Sequence, residues 1–156
     1  MLRITLAILH LVALGIGLGA VWARARALGQ SPLDRHAARR AFAADGWWGV
    51  AAVLWIVTGL WRLLAGTEKA TAYYLSNHAF MAKLGFFAAI LLLELWPALT
   101  LIRWRRAAAR GGSSWTPRAP SADRIRVISY VEAVLIIAMV CAAVMMARGY
   151  GAPTPR

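Results

Sequence analysis

Long apolar runs alternate with short basic segments along this chain. Four runs reach the roughly 20 mostly apolar residues that a helix needs to cross a bilayer. They cover residues 4–23, 47–66, 78–102 and 127–147, and the first reads "ITLAILHLVALGIGLGAVWA". In hydrocarbon every backbone polar group must be bonded internally, so the runs are expected as helices. The pattern predicts an all-α fold: an integral membrane four-helix bundle, a single domain over residues 1–156. Between the third and fourth runs, "RGGSSWTPRAPSAD" (110–123) reads as a flexible linker. The last residues, 149–156, read as a disordered tail.

Charge gives the bundle a direction. The first connection carries Arg24, Arg26, Arg35, Arg39 and Arg40, and the third carries seven arginines from Arg103 to Arg126. The second connection, "TEKATAYYLSN", carries only Lys69. Basic loops stay on the cytoplasmic side, so both termini are expected on the outer, periplasmic side. Only Arg3 precedes the first run. A secretory signal needs its positive charge there, so this run is expected to remain as a span.

Composition agrees. Hydrophobic residues make up 61% of the 156 and charged ones 15%, far from a soluble average. The formal charge of +12 would otherwise suggest nucleic acid. Because the arginines flank apolar runs, the partner they imply is the lipid bilayer. Cys141 is the only cysteine, which excludes a disulfide framework or a thiolate cluster. Trp47, Trp48, Trp61, Tyr73, Tyr74, Trp96, Trp104 and Tyr150 read as an interfacial aromatic belt. Gly15 and Gly19 have the GxxxG spacing that permits close helix approach.

The candidate chemistry is the set of polar groups inside the runs, since ionisable residues there are rare and expensive. Helical periodicity gathers Arg3, His10, Gly17 and Arg24 on one face of the first span. Asp45, Trp48, Ala52, Trp55, Gly59 and Arg62 share a face of the second. Lys83, Phe87, Ile90, Glu94 and Pro97 share one on the third, and Glu132 leads into Met139, Ala143 and Met146 on the fourth. All four faces are expected to turn inward. Lys83 and Glu94 lie eleven positions apart, about 16 Å of helix rise, so they belong to different layers. The outer layer holds His10 and Lys83, with Arg62 and His78 at its edge. The inner layer holds Glu94 and Glu132 within reach of Arg24 or Arg103, and Asp45 is expected to cap the second helix.

The segments "ILHLVALGIGLGAVWARARAL", "ADGWWGVAAVLWIVTGLWRL", "EKATAYYLSNHAFMAKLGFF" and "LLLELWPALTLIRWR" resemble a bacterial inner-membrane family, the domain of unknown function 2214. That resemblance implies a multi-pass protein of the bacterial plasma membrane and brings no established activity. A more distant likeness is to the HemJ-type protoporphyrinogen oxidases and the copper-resistance D membrane proteins. His10, Arg24 and Lys83 stand where those families place a first-span histidine, following arginines and a later lysine. The likeness implies haem binding at His10. Two features depart from it. His78 lies five residues before Lys83, and Glu94 stands where that family has a tyrosine–histidine pair.

Two readings of function follow. One is a haem- or porphyrin-associated protein, with haem b as cofactor, His10 as ligand to the iron, and Lys83, Arg62 and His78 or Met81 completing the site. The other is an accessory subunit of a larger membrane complex. A small proton-linked transporter using Lys83, Glu94 and Glu132 is the alternative.

Overall fold

The computed structural model describes residues 1–65, 77–112 and 115–151. It contains four long helices: α1 (Leu2–Leu28), α2 (Arg35–Leu64), α3 (His78–Gly111) and α4 (Ala119–Ala147). All four are long and apolar enough to cross a membrane. Among the described residues there is no strand. Helix α1 packs extensively on α2 and on α4, and α3 packs on α4. Helices α2 and α3 stand farther apart and meet through long side chains, Arg105 on Asp45 and Phe87 on Trp55.

Each helix outruns its apolar stretch. Helix α2 starts at Arg35, capped by Asp34, whose side chain accepts a hydrogen bond from the Ala37 amide. That bond holds the Asp34 carboxyl below its ordinary range. Ala37, Ala38, Ala41 and Ala44 then bury against the bundle while Arg39 and Arg40 stay exposed. Asp45 therefore sits inside α2 and caps nothing, contrary to expectation. The first turns conceal the true start, because their alanines and arginines favour helix while Arg35, Arg39 and Arg40 keep the segment from reading as an apolar run. Helix α4 likewise begins at Ala119, with proline in its first turn. It thus takes up the end of the segment read as linker. Of the tail, residues 152–156 lie outside the described residues, as do Tyr73 and Tyr74.

The bundle is apolar on both sides. Outward faces carry Leu11, Val12, Val53, Leu92, Val134 and Cys141, as lipid requires. Inside, Ala13, Val21, Trp48, Trp55, Ile90, Ala133, Ile136 and Met139 form one core cluster. A second cluster at the arginine-rich end joins Leu28, Ala41, Leu101, Trp104 and Ile125. Trp48 and Trp104 are thus core residues and not part of an interfacial belt.

The close approach of α1 to α2 depends on Gly17. A Cβ there would lie 3.0 Å from the Trp48 ring. Gly15 and Gly19 face open space, so the GxxxG pair does not make this contact.

At the opposite end, the C-terminal turn closes on the start of α3. The Gly151 carbonyl accepts from the His78 amide at 2.9 Å, and Asn77 donates through Nδ2 to the Tyr150 carbonyl. The same Asn77 caps α3, accepting from the Ala79 and Phe80 amides. Gly151 has a positive φ of 78° and approaches the Ala79 amide nitrogen so closely that a Cβ would sit 2.8 Å from it.

Candidate functional site

The intramembrane polar groups collect in two places. At the arginine-rich end, Arg24 of α1 is fully buried and meets all three other helices. Its Nη1 donates to Asp45 Oδ1 at 3.1 Å and to Glu94 Oε1 at 2.7 Å. Its Nη2 donates to Glu94 Oε2 and Glu132 Oε2, each at 2.7 Å. Its Nε donates to Ser129 Oγ at 2.9 Å. A guanidinium has five N–H donors in a rigid plane, and here every one is used. The grip on Glu94 is the two-pronged arrangement that makes arginine–carboxylate pairs strong. Asp45 also receives Arg105 at 2.8 Å. Glu132 Oε1 has no hydrogen-bond partner among the described residues.

The predicted inner layer is therefore one ion cluster. Arg24 is the partner of both glutamates, and Arg103 stays exposed. Asp45 joins the cluster instead of ending a helix. Ser129 was missed, although it lies one turn from Glu132 within an apolar run, and that placement was a usable signal.

The second place is a cavity nearer the other end. It measures about 460 Å³, and its lining includes His10, Trp55, Arg62, Lys83, Met139 and Met146. A smaller apolar lobe of about 280 Å³ shares His10, Trp55 and Lys83 and runs between α2 and α3, lined by Leu60, Leu63, Leu84 and Phe87. The separation of those two helices makes room for this lobe, beside the edge-on contact of Trp55 with Phe87 at 5.8 Å.

Thr58, also missed from sequence, sets the state of His10. The two side chains meet at 2.9 Å, His10 Nδ1 to Thr58 Oγ. The threonine hydroxyl donates to the Leu54 carbonyl at 2.6 Å. With its one proton committed, the hydroxyl accepts from His10, which places the imidazole proton on Nδ1. Nε2 keeps its lone pair. Gly59 makes room for this ring, since a Cβ there would lie 3.3 Å from its Cε1. Trp55 stacks at a tilt on His10 with centroids 5.9 Å apart, and its buried indole N–H has no acceptor among the described residues.

His10, Arg62 and Lys83 are thus brought to one cavity. His78 is not. It is exposed at the first turn of α3 and lines none of the cavity. Met81 is also exposed, at 51%. The methionines that do line the cavity are Met139 and Met146 on α4. Between the cavity and the ion cluster lies the packed apolar layer of Ala13, Ile90 and Ile136. Among the described residues, no group of three or more metal-ligating His, Cys, Asp or Glu side chains converges.

Residues 2–151 match the model of a family described as a predicted membrane protein, DUF2214. The chain belongs to that family. The match takes in all four helices of this DUF2214 protein, with both polar sites. No curated protein and no solved structure matches it.

Proposed function

We propose that this protein is a haem- or porphyrin-binding protein of the bacterial inner membrane, with His10 as the iron ligand. The state of His10 carries the reading. Histidines that bind metals characteristically donate their second ring nitrogen to an oriented acceptor, and Thr58 is such an acceptor at 2.9 Å. The rest of the lining suits a tetrapyrrole. Lys83 and Arg62 supply cations for propionates, and Trp55 and Phe87 supply flat apolar surface. Met139 or Met146 replaces His78 as candidate second ligand. The volume falls within the roughly 300–1,000 Å³ of ligand sites. Bound there, haem would supply one-electron chemistry. The chain's own residues would orient the imidazole, neutralise the acidic groups and admit the ligand sideways between α2 and α3.

The distant HemJ likeness supports binding at His10 and Lys83 but not porphyrinogen oxidation, because His78 is remote and Glu94 is committed to Arg24. An accessory role in a larger complex is compatible with the same site. The proton-linked alternative would need a polar route from Lys83 to Glu94, and the apolar layer lies across it.

The test is an absorption spectrum of the detergent-purified protein, oxidised and then dithionite-reduced, beside His10→Ala and Thr58→Val. The native protein is expected to show a Soret band that disappears in His10→Ala. In Thr58→Val the band is expected to weaken and shift, since the ring loses its orienting acceptor. A colourless native protein from haem-replete cells would overturn the assignment.

A further inference from the structure

We propose that the groove between α1 and α4 at the arginine-rich end binds the phosphate of an anionic phospholipid. This site is separate from the His10 cavity and does not depend on its ligand. Two stripes build it. On α1, Trp22 and Arg26 stand one turn apart and so share a face, and Gln30 follows just beyond the helix end; all three are exposed. On α4, Arg126 and Tyr130 stand one turn apart and face them. Together Arg26, Gly29, Gln30, Arg126, Val127 and Tyr130 line a cavity of about 400 Å³.

The depth is right for a headgroup. The apolar run of α1 ends at Ala23 and that of α4 begins at Val127. Arg26 and Arg126 therefore stand together at the edge of the hydrocarbon, where phosphates lie. Directly below them, Trp22 meets Tyr130 edge-on with centroids 5.3 Å apart. Trp22 and Val127 are both more than half exposed, which gives an acyl chain an apolar surface to follow.

Gly29 permits the arrangement. A Cβ there would press on Arg126 Cδ at 3.2 Å, so glycine lets the arginine lie across the end of α1.

Charge is complementary to an anion. Arg40 reaches the groove from α2 and donates to Gln30. Of the acids beside these arginines, Asp34 lies near Arg40, and Asp123 is paired to Arg126 at 3.1 Å and itself 61% exposed. An ion pair so exposed contributes little, and a phosphate can displace it. Basic pockets between membrane helices are a recognised geometry for anionic headgroups.

The experiment uses the full chain in discs of mixed phosphatidylglycerol and phosphatidylcholine, released and weighed by native mass spectrometry. The native protein is expected to retain phosphatidylglycerol in preference. Arg26→Gln with Arg126→Gln is expected to lower that retention about tenfold or more, from roughly a fewfold per basic residue at the surface. Arg106→Gln with Arg110→Gln removes equal charge from exposed positions outside the groove and is expected to leave retention unchanged. An excess of inorganic phosphate is expected not to strip the lipid.

Equal retention of both lipids by the native protein would overturn the proposal. So would an equal loss in the control pair, or displacement by inorganic phosphate alone, which would mark a free-phosphate site. If the glutamine pair fails to fold, Arg26→Lys with Arg126→Lys keeps the charge but loses the planar fork. A fall in retention is then the expected result, and full retention overturns the proposal.

Discussion

Arg24 shows how a charge becomes tolerable in a bilayer. Its cost is desolvation, and here five hydrogen bonds from one plane offset it. The same arrangement makes the residue hard to replace. Arg24→Met would leave Asp45, Glu94 and Glu132 facing each other, with Arg105 on Asp45 as the remaining cation and none on the two glutamates. Removing one partner of a buried ion pair costs about 3–5 kcal/mol. We expect Arg24→Met to lose that order of stability in detergent unfolding, and Arg24→Lys to recover only part, because an ammonium lacks the fork. A combined Arg24→Met, Asp45→Asn, Glu94→Gln, Glu132→Gln variant is expected to recover more than Arg24→Met alone. If the single variant unfolds like the native protein, Arg24 is not the keystone described.

Much at this scale was legible. The seven-residue repeat of His10, Gly17 and Arg24 placed three residues on one buried face, and the depth of Glu94 and Glu132 put them within reach of Arg24 or Arg103, of which Arg24 is the partner. What escaped was set by rotation and side-chain reach. Thr58 and Ser129 are short polar groups of a kind common in membrane helices, and only their distances to His10 and Arg24 single them out.

At the scale of the helix, packing discriminates between glycines that look alike in sequence. Gly15, Gly17 and Gly19 alternate within about one and a half turns, yet of the three only Gly17 meets a neighbour. A leucine at Gly17 has to push the Trp48 indole out of the core, and overpacking of this kind costs about 1–3 kcal/mol. Gly17→Leu is expected to lower the thermal midpoint in detergent, and Gly19→Leu, in open space, to leave it in place. Comparable midpoints would mean that α1 and α2 do not pack through Gly17. Sequence favoured Gly15 and Gly19 because the familiar spacing says nothing about which side of the helix meets protein. The same blindness hid the first turns of α2, where arginines and alanines continue the helix beyond the hydrocarbon.

For the whole molecule, the two ends differ in character. One end gathers the arginines, the Arg24 cluster and the Trp22–Tyr130 groove. The other holds the His10 cavity and the Gly151 strap on α3. The number of spans and their apolar limits could be read from hydropathy alone, because lipid tolerates little else. The positive-inside rule assigns the arginine-rich end to the cytoplasm. In a Cys141→Ser background, a cysteine at His36 is expected to resist a membrane-impermeant thiol reagent in intact cells. One at Tyr150, exposed at the other end, is expected to react. The reverse pattern would invert the orientation and put the His10 cavity on the cytoplasmic side.

The Arg24 cluster also has a history during synthesis. Helices enter a membrane in chain order, so α1 arrives with its guanidinium before any carboxylate is present. Helix α2 delivers Asp45 and α3 delivers Glu94, but Ser129 and Glu132 come only with α4. A chain truncated before α4 therefore presents an arginine within the bilayer that lacks two of its five hydrogen bonds. Arrival of the last helix completes the bonding, so the residue that holds the finished bundle together reaches its full set of partners only when the fourth helix is in place.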